Sequence, residues 1–136
     1  MVVTPMSVPV VTFYAGLNAL IAFVLVVLVV RQRGKTKTGL GTGGHLALEQ
    51  AIRAHGNFIE YAPFILLLML IDAMGGESLY WLHGMGMALT VARLLHPWGL
   101  LGNPGTSVGR FSGINLTWIV MLVALVRCLM LGAAAL

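Results

Sequence analysis

The stretch RAHGNFIEYAPFILLLMLI, Arg53 to Ile71, decides how this chain is read. From Ala62 onward it is apolar without a break, while its first half carries an arginine, a histidine, an asparagine and a glutamate. An apolar run of this kind belongs in hydrocarbon, where an ionised group costs about 2.5–3.5 kcal/mol at mid-bilayer. Polar groups set directly against it therefore need a purpose.

The rest of the sequence agrees with a membrane setting. Of 136 residues, 59% are hydrophobic and 9% charged, and the mean hydropathy is +0.95, whereas a soluble domain carries roughly 25% charged residues. A spanning helix takes about 20 apolar residues, so the chain has room for four spans with short connections and no separate soluble domain. The expected fold is an all-α integral membrane protein, a four-transmembrane-helix bundle forming one domain over residues 1–136, with helices at about 8–30, 45–74, 78–96 and 110–132. The net charge of +4 does not point to nucleic acid, because the basic residues sit at the edges of apolar segments rather than in one patch. Cys128 has no partner cysteine in the chain, which excludes an intrachain disulfide.

Each segment has its own signals. The first apolar run, VPVVTFYAGLNALIAFVLVVLVV, has no basic residue before it and no small-residue cleavage pattern after it, so it is expected to be a retained span rather than a signal peptide. The glycines and threonines between Gly39 and Gly44 form a loop. Gly34-Lys35-Thr36 is not a phosphate-binding loop, because that motif needs a glycine where Val29 stands. Pro63 is expected to disturb the second helix locally, and Pro97 to end the third. Gly84, Gly86, Ala88 and Thr90 are expected to let a neighbouring helix come close. Arg31, Arg33, Lys35 and Lys37 crowd the first loop, Asp72 and Glu77 stand at the second, and Arg93 and Arg110 flank the third. Basic loops favour the cytoplasm, which places both termini outside and the first and third loops inside, with Arg127 reaching toward the opposite interface.

On a helix, with Arg53 at zero, Glu49 falls at about −40°, Glu60 at about −20° and Asn57 at about +40°, while His55 lies near 160°. Four polar groups thus share one face of the second helix. Arg93 and His96 share a face near the end of the third helix, Arg110 opens the fourth and Arg31 closes the first. Four arginines at one depth outnumber the carboxylates. That excess suits an anionic ligand, since guanidinium forks match carboxylates and keep their charge when desolvated.

The run Glu49, Arg53, Ala54, His55, Asn57 and Glu60, E-x-x-x-R-A-H-x-N-x-x-E, resembles the signature helix of the MAPEG family, the membrane-associated proteins in eicosanoid and glutathione metabolism. VRQRGK is similar to the basic end of that family's first helix, ARLLH to the Arg-x-x-His of its third, and Arg110 stands where its fourth begins. The chain looks most like the family's bacterial branch. The resemblance implies a homotrimer in a bacterial inner membrane, with glutathione as co-substrate bound between subunits on the cytoplasmic side and no metal. It implies that Arg31, Arg53, Asn57, Glu60, Arg93 and His96 bind glutathione, that Glu49 supports them, and that Arg110 is catalytic by stabilising the thiolate. The implied activity is that of a glutathione transferase or peroxidase acting on lipophilic electrophiles or hydroperoxides from the bilayer. Two positions depart from the family: Leu100 stands where many members carry a tyrosine, and Gly56 where the eicosanoid branch is often basic. The same residues also fit a non-catalytic membrane protein that binds an anionic metabolite or uses its polar groups to hold a trimer together. A transporter fits less well, since four helices without an internal repeat have little to alternate.

Overall fold

The computed structural model describes residues 6–136, so the first five residues of the expected domain lie outside the described residues. Four helices follow one another: α1 (Val8–Thr36), α2 (Leu46–Met74), α3 (Leu79–Gly102) and α4 (Val108–Ala135). No strand occurs among the described residues. α1, α2 and α4 are each long and apolar enough to cross a membrane, and α3, at 24 residues, runs about 36 Å alongside them. Large apolar side chains such as Phe23, Phe64 and Ile119 are exposed on the outside. The chain is a multi-pass integral membrane protein.

α2 and α3 form the middle of the bundle. α1 packs on both from one side and α4 on both from the other, and α1 and α4 do not approach each other. Ile65, Met69, Leu82 and Leu89 are fully enclosed at one end of this core, and Phe58, Ala62 and Leu25 form a second cluster toward the other. α1 is tied to α3 by Asn18, a buried polar residue whose Nδ2 donates to the Tyr14 carbonyl at 2.9 Å and to Thr90 Oγ1 at 3.0 Å.

The helices run longer than the apolar segments predict. α1 passes Val30 and continues to Thr36, because arginine, glutamine and lysine are good helix formers once outside the membrane. It stops at Lys37, which takes the left-handed conformation at φ 51°. Arg33 then gathers the following loop, its Nη1 donating to the carbonyls of Thr38, Gly39 and Gly41 at 3.1 to 3.2 Å. α3 does not end at Pro97 as expected but carries on to Gly102. A proline removes one N–H and crowds the preceding turn, and here the carbonyls beyond it find outside donors: Ser107 Oγ donates to Gly99 O at 2.9 Å and Gln50 Nε2 to Leu100 O at 2.8 Å.

Close helix approach is also placed differently from expectation. Gly86 does lie against the Tyr14 ring, leaving no room for a Cβ, but Gly84 faces open space. The tight seam joins α3 to α4: a Cβ on Gly99 would overlap the Arg110 backbone, one on Gly109 would meet Trp98, and one on Gly113 would meet the His96 backbone. That seam fixes where α4 begins, and hence where Arg110 stands.

Candidate functional site

The polar face of α2 divides between two places. At its first turns Glu49 and Arg53, with Gln50 and Leu46, form one wall of a pocket of about 240 Å³, closed on the far side by Leu100, Pro104 and Arg110. Arg110 is positioned by the start of α4, where Ser107 caps the helix by accepting from the Arg110 backbone N–H at 3.3 Å. Its Nη1 donates to the loop carbonyls of Pro104 and Gly105 at 3.4 and 3.3 Å. No carboxylate is ion-paired with Arg53 or Arg110 among the described residues. The pocket thus brings together two guanidinium groups that lack a carboxylate partner among the described residues and one carboxylate.

One turn further along α2, about 6 Å by helical rise, Asn57 turns into the bundle. Its Oδ1 accepts from Arg93 Nη1 at 3.0 Å, while Arg93 Nη2 donates to Thr117 Oγ1 on α4. Thr117 donates in turn to the Gly113 carbonyl at 2.7 Å, and the Arg93 guanidinium stacks over the Tyr61 ring at 5.9 Å. Arg93 is 1% exposed and Thr117 0%, so this group binds α2, α3 and α4 through the interior. His96, one turn after Arg93, is also buried, with its Nδ1 unpartnered. Neither Arg93 nor His96 lines the pocket that holds Arg110.

Two expected site residues stand apart within one chain. Arg31, at the membrane edge of α1, lines a shallow groove with Phe23, Val24, Val27 and Leu28, across the bundle from α4. Glu60 is exposed and makes no hydrogen bond or ion pair among the described residues. The helical stripe therefore corrects to two levels: Glu49 and Arg53 join Arg110, Asn57 joins Arg93, and Glu60 faces outward. A projection down the helix axis hides this, because Glu49 and Glu60 are separated by about 16 Å along it.

Sequence reasoning missed two participants at this end. Thr117 carries the Arg93 link but looks like an ordinary small residue in an apolar helix. Gln50 faces the pocket between Glu49 and Arg53, and its partner is a backbone carbonyl, which leaves no trace in a sequence. At the opposite end, Arg127 is not simply reaching for water: its Nη2 lies 3.3 Å from Asp72 Oδ1 and is paired with Glu77, with the Trp81 ring 6.0 Å below the guanidinium. The two departures also have places. Leu100 forms a wall of the Arg53 and Arg110 pocket, and Gly56 has open space around its Cα.

Comparison with known proteins bears on what this arrangement is. The chain is similar to the inner membrane protein YecN of Escherichia coli strain K12, with 36% identity over 110 residues covering 81% of this chain and 82% of that protein. The YecN protein of Escherichia coli O6:H1 strain CFT073 matches to the same extent. The sequence model of the MAPEG family matches residues 11–130, which spans all four helices and both polar groups. The chain belongs to the MAPEG family.

Proposed function

We propose that this protein is a glutathione-dependent transferase or peroxidase, working at the cytoplasmic side of a bacterial inner membrane on lipophilic electrophiles or hydroperoxides. The observation that carries the reading is the pocket in which Arg53 and Arg110 stand free of carboxylate partners. An uncompensated cation beside a thiol favours its ionised form, and the thiolate is the nucleophile. Glutathione offers the thiol, two carboxylates for the guanidinium groups and one ammonium for Glu49. With a chlorinated nitrobenzene, the thiolate would form the carbon–sulfur bond, chloride would leave with the bonding pair, and the thiol proton would pass to solvent.

The homotrimer belongs to the same proposal. Arg31 on α1 and Arg110 on α4 lie on helices that do not touch, so one ligand can meet both only if a second copy brings its α1 alongside. Purified protein mixed with glutathione should give a thiolate absorbance and conjugate a chlorinated nitrobenzene, and Arg110→Ala should remove both signals. Absence of both from folded wild-type protein overturns the reading.

A second reading, a non-catalytic membrane protein that binds glutathione or another anionic metabolite, or uses its polar groups to hold a trimer, is favoured by the interior position of Arg93. Two of its donors are spent on Asn57 and Thr117, which is how a helix staple is built. In that case glutathione binds without turnover, or Arg53→Ala dissociates the oligomer rather than abolishing a reaction.

A further inference from the structure

Gln50 is half-buried in the pocket with Arg53 and Arg110, and its carboxamide nitrogen donates to the Leu100 carbonyl at 2.8 Å. The orientation of this amide is fixed, because a backbone carbonyl only accepts and the nitrogen must face it. A carboxamide nitrogen carries two hydrogens. One is spent on Leu100, and the other has no protein acceptor among the described residues. The lining around it carries one net positive charge, two guanidinium groups against Glu49, with Leu46, Leu100 and Pro104 neutral. A pinned N–H gives an anionic atom in this pocket a fixed direction, beside the Arg110 guanidinium that the Pro104 and Gly105 carbonyls hold in place.

We propose that Gln50 donates this second N–H to the thiolate held by Arg110, making it a binding residue for the ionised sulfur. The assignment rests on the glutathione reading above. The Leu100 carbonyl acts as the anchor: it stops the amide from turning and keeps its free hydrogen in the pocket. A hydrogen bond to a charged acceptor is one of the stronger kinds, enough to change the ionisation of the thiol by about tenfold or more.

The test uses full-length protein in detergent, as wild type, Gln50→Leu and Gln50→Met. Thiolate absorbance of bound glutathione is followed across pH, and calorimetry measures binding of S-methylglutathione, which has no thiol to ionise. Both variants should raise the pH at which the bound thiol ionises by about one unit or more, and Gln50→Leu should bind S-methylglutathione within about twofold of wild type. Gln50→Met keeps the length of the side chain without a donor or a charge, so it decides the matter if Gln50→Leu does not fold. Unchanged thiol ionisation in both variants, beside a clear wild-type signal, overturns this role for Gln50 and leaves the proposed function standing. Equal loss of S-methylglutathione binding in both variants also overturns it, because the amide would then act on the peptide rather than the sulfur. Wild-type protein that binds glutathione in neither form overturns the functional reading and this inference together.

Discussion

The two ends of the bundle treat charge in opposite ways. At one end Arg127 is met by Asp72, Glu77 and the Trp81 ring, and every charged side chain there has a partner. At the other, Arg53 and Arg110 share a pocket lined by one carboxylate, Glu49, and neither is ion-paired among the described residues. Charge that is satisfied by the protein holds the protein; charge left unsatisfied is available to something else. The Arg127 ion-pair group and the proposed ligand site thus lie at opposite ends of the bundle, and mutation should affect stability at one end and binding at the other.

The largest effect is expected at the paired end. Arg127→Ala leaves the buried Asp72 carboxylate, 3% exposed, without its counter-ion. Stranding one member of a buried pair costs about 3–5 kcal/mol. Unfolding titrated with a denaturing detergent should register most of that loss, and glutathione affinity of the remaining folded protein should not change. Replacing both members of the buried pair, Arg127→Met with Asp72→Leu, should recover part of it, since the carboxylate then left unpaired, Glu77, is less buried than Asp72. If the double replacement is as unstable as the single one, the pair is not the staple described here.

A smaller effect tests what positions the open end. Gly113→Val pushes a side chain into the His96 backbone at the α3–α4 seam, and overpacking of this kind costs about 1–3 kcal/mol. A Cβ on Gly84 meets nothing within 4 Å, so Gly84→Ala should be near neutral by the same assay. Equal losses at the two glycines would show that helix propensity rather than the seam governs both.

The contrast between the ends was only partly legible in the sequence. The number and order of helices followed from the apolar runs, because hydrocarbon length sets a fixed requirement. Arg53, Glu49 and Arg110 could be placed on one side of the membrane by charge and spacing alone. What the sequence hid was depth and direction. Asn57 and Arg53 are one turn apart on the same face, yet one turns into the interior and the other lines an open pocket, a difference decided by Arg93 and Thr117 on other helices. Pro97 misled for a similar reason: the donors that carry α3 past it, Ser107 and Gln50, come from elsewhere in the chain.

At the open end, removing a cation should hardly touch folding. Arg53 is exposed in the pocket and accepts no ion pair, so Arg53→Ala should shift stability by less than about 0.5 kcal/mol while weakening glutathione binding by roughly tenfold. Calorimetry and detergent denaturation on one preparation separate the two quantities. A loss of stability comparable with that of Arg127→Ala would erase the distinction between the ends.

The smallest change is expected for Arg31, and it bears on how many chains make one site. Within a protomer this arginine lies across the bundle from α4, so Arg31→Ala should leave stability unaltered and weaken glutathione binding only a few-fold. Its value comes from mixing. If a site takes Arg31 from one chain and Arg110 from another, oligomers assembled from Arg31→Ala and Arg110→Ala chains will contain some sites with both arginines intact, roughly a quarter when the two chains mix at random in a closed ring. Conjugating activity absent from the Arg110→Ala oligomer, and raised in the mixture above the level of its Arg31→Ala chains alone, would then come from those restored sites. Activity that simply follows the fraction of chains retaining Arg110 would place the whole chemistry within one chain, and the unpaired end would be a complete pocket rather than half of one.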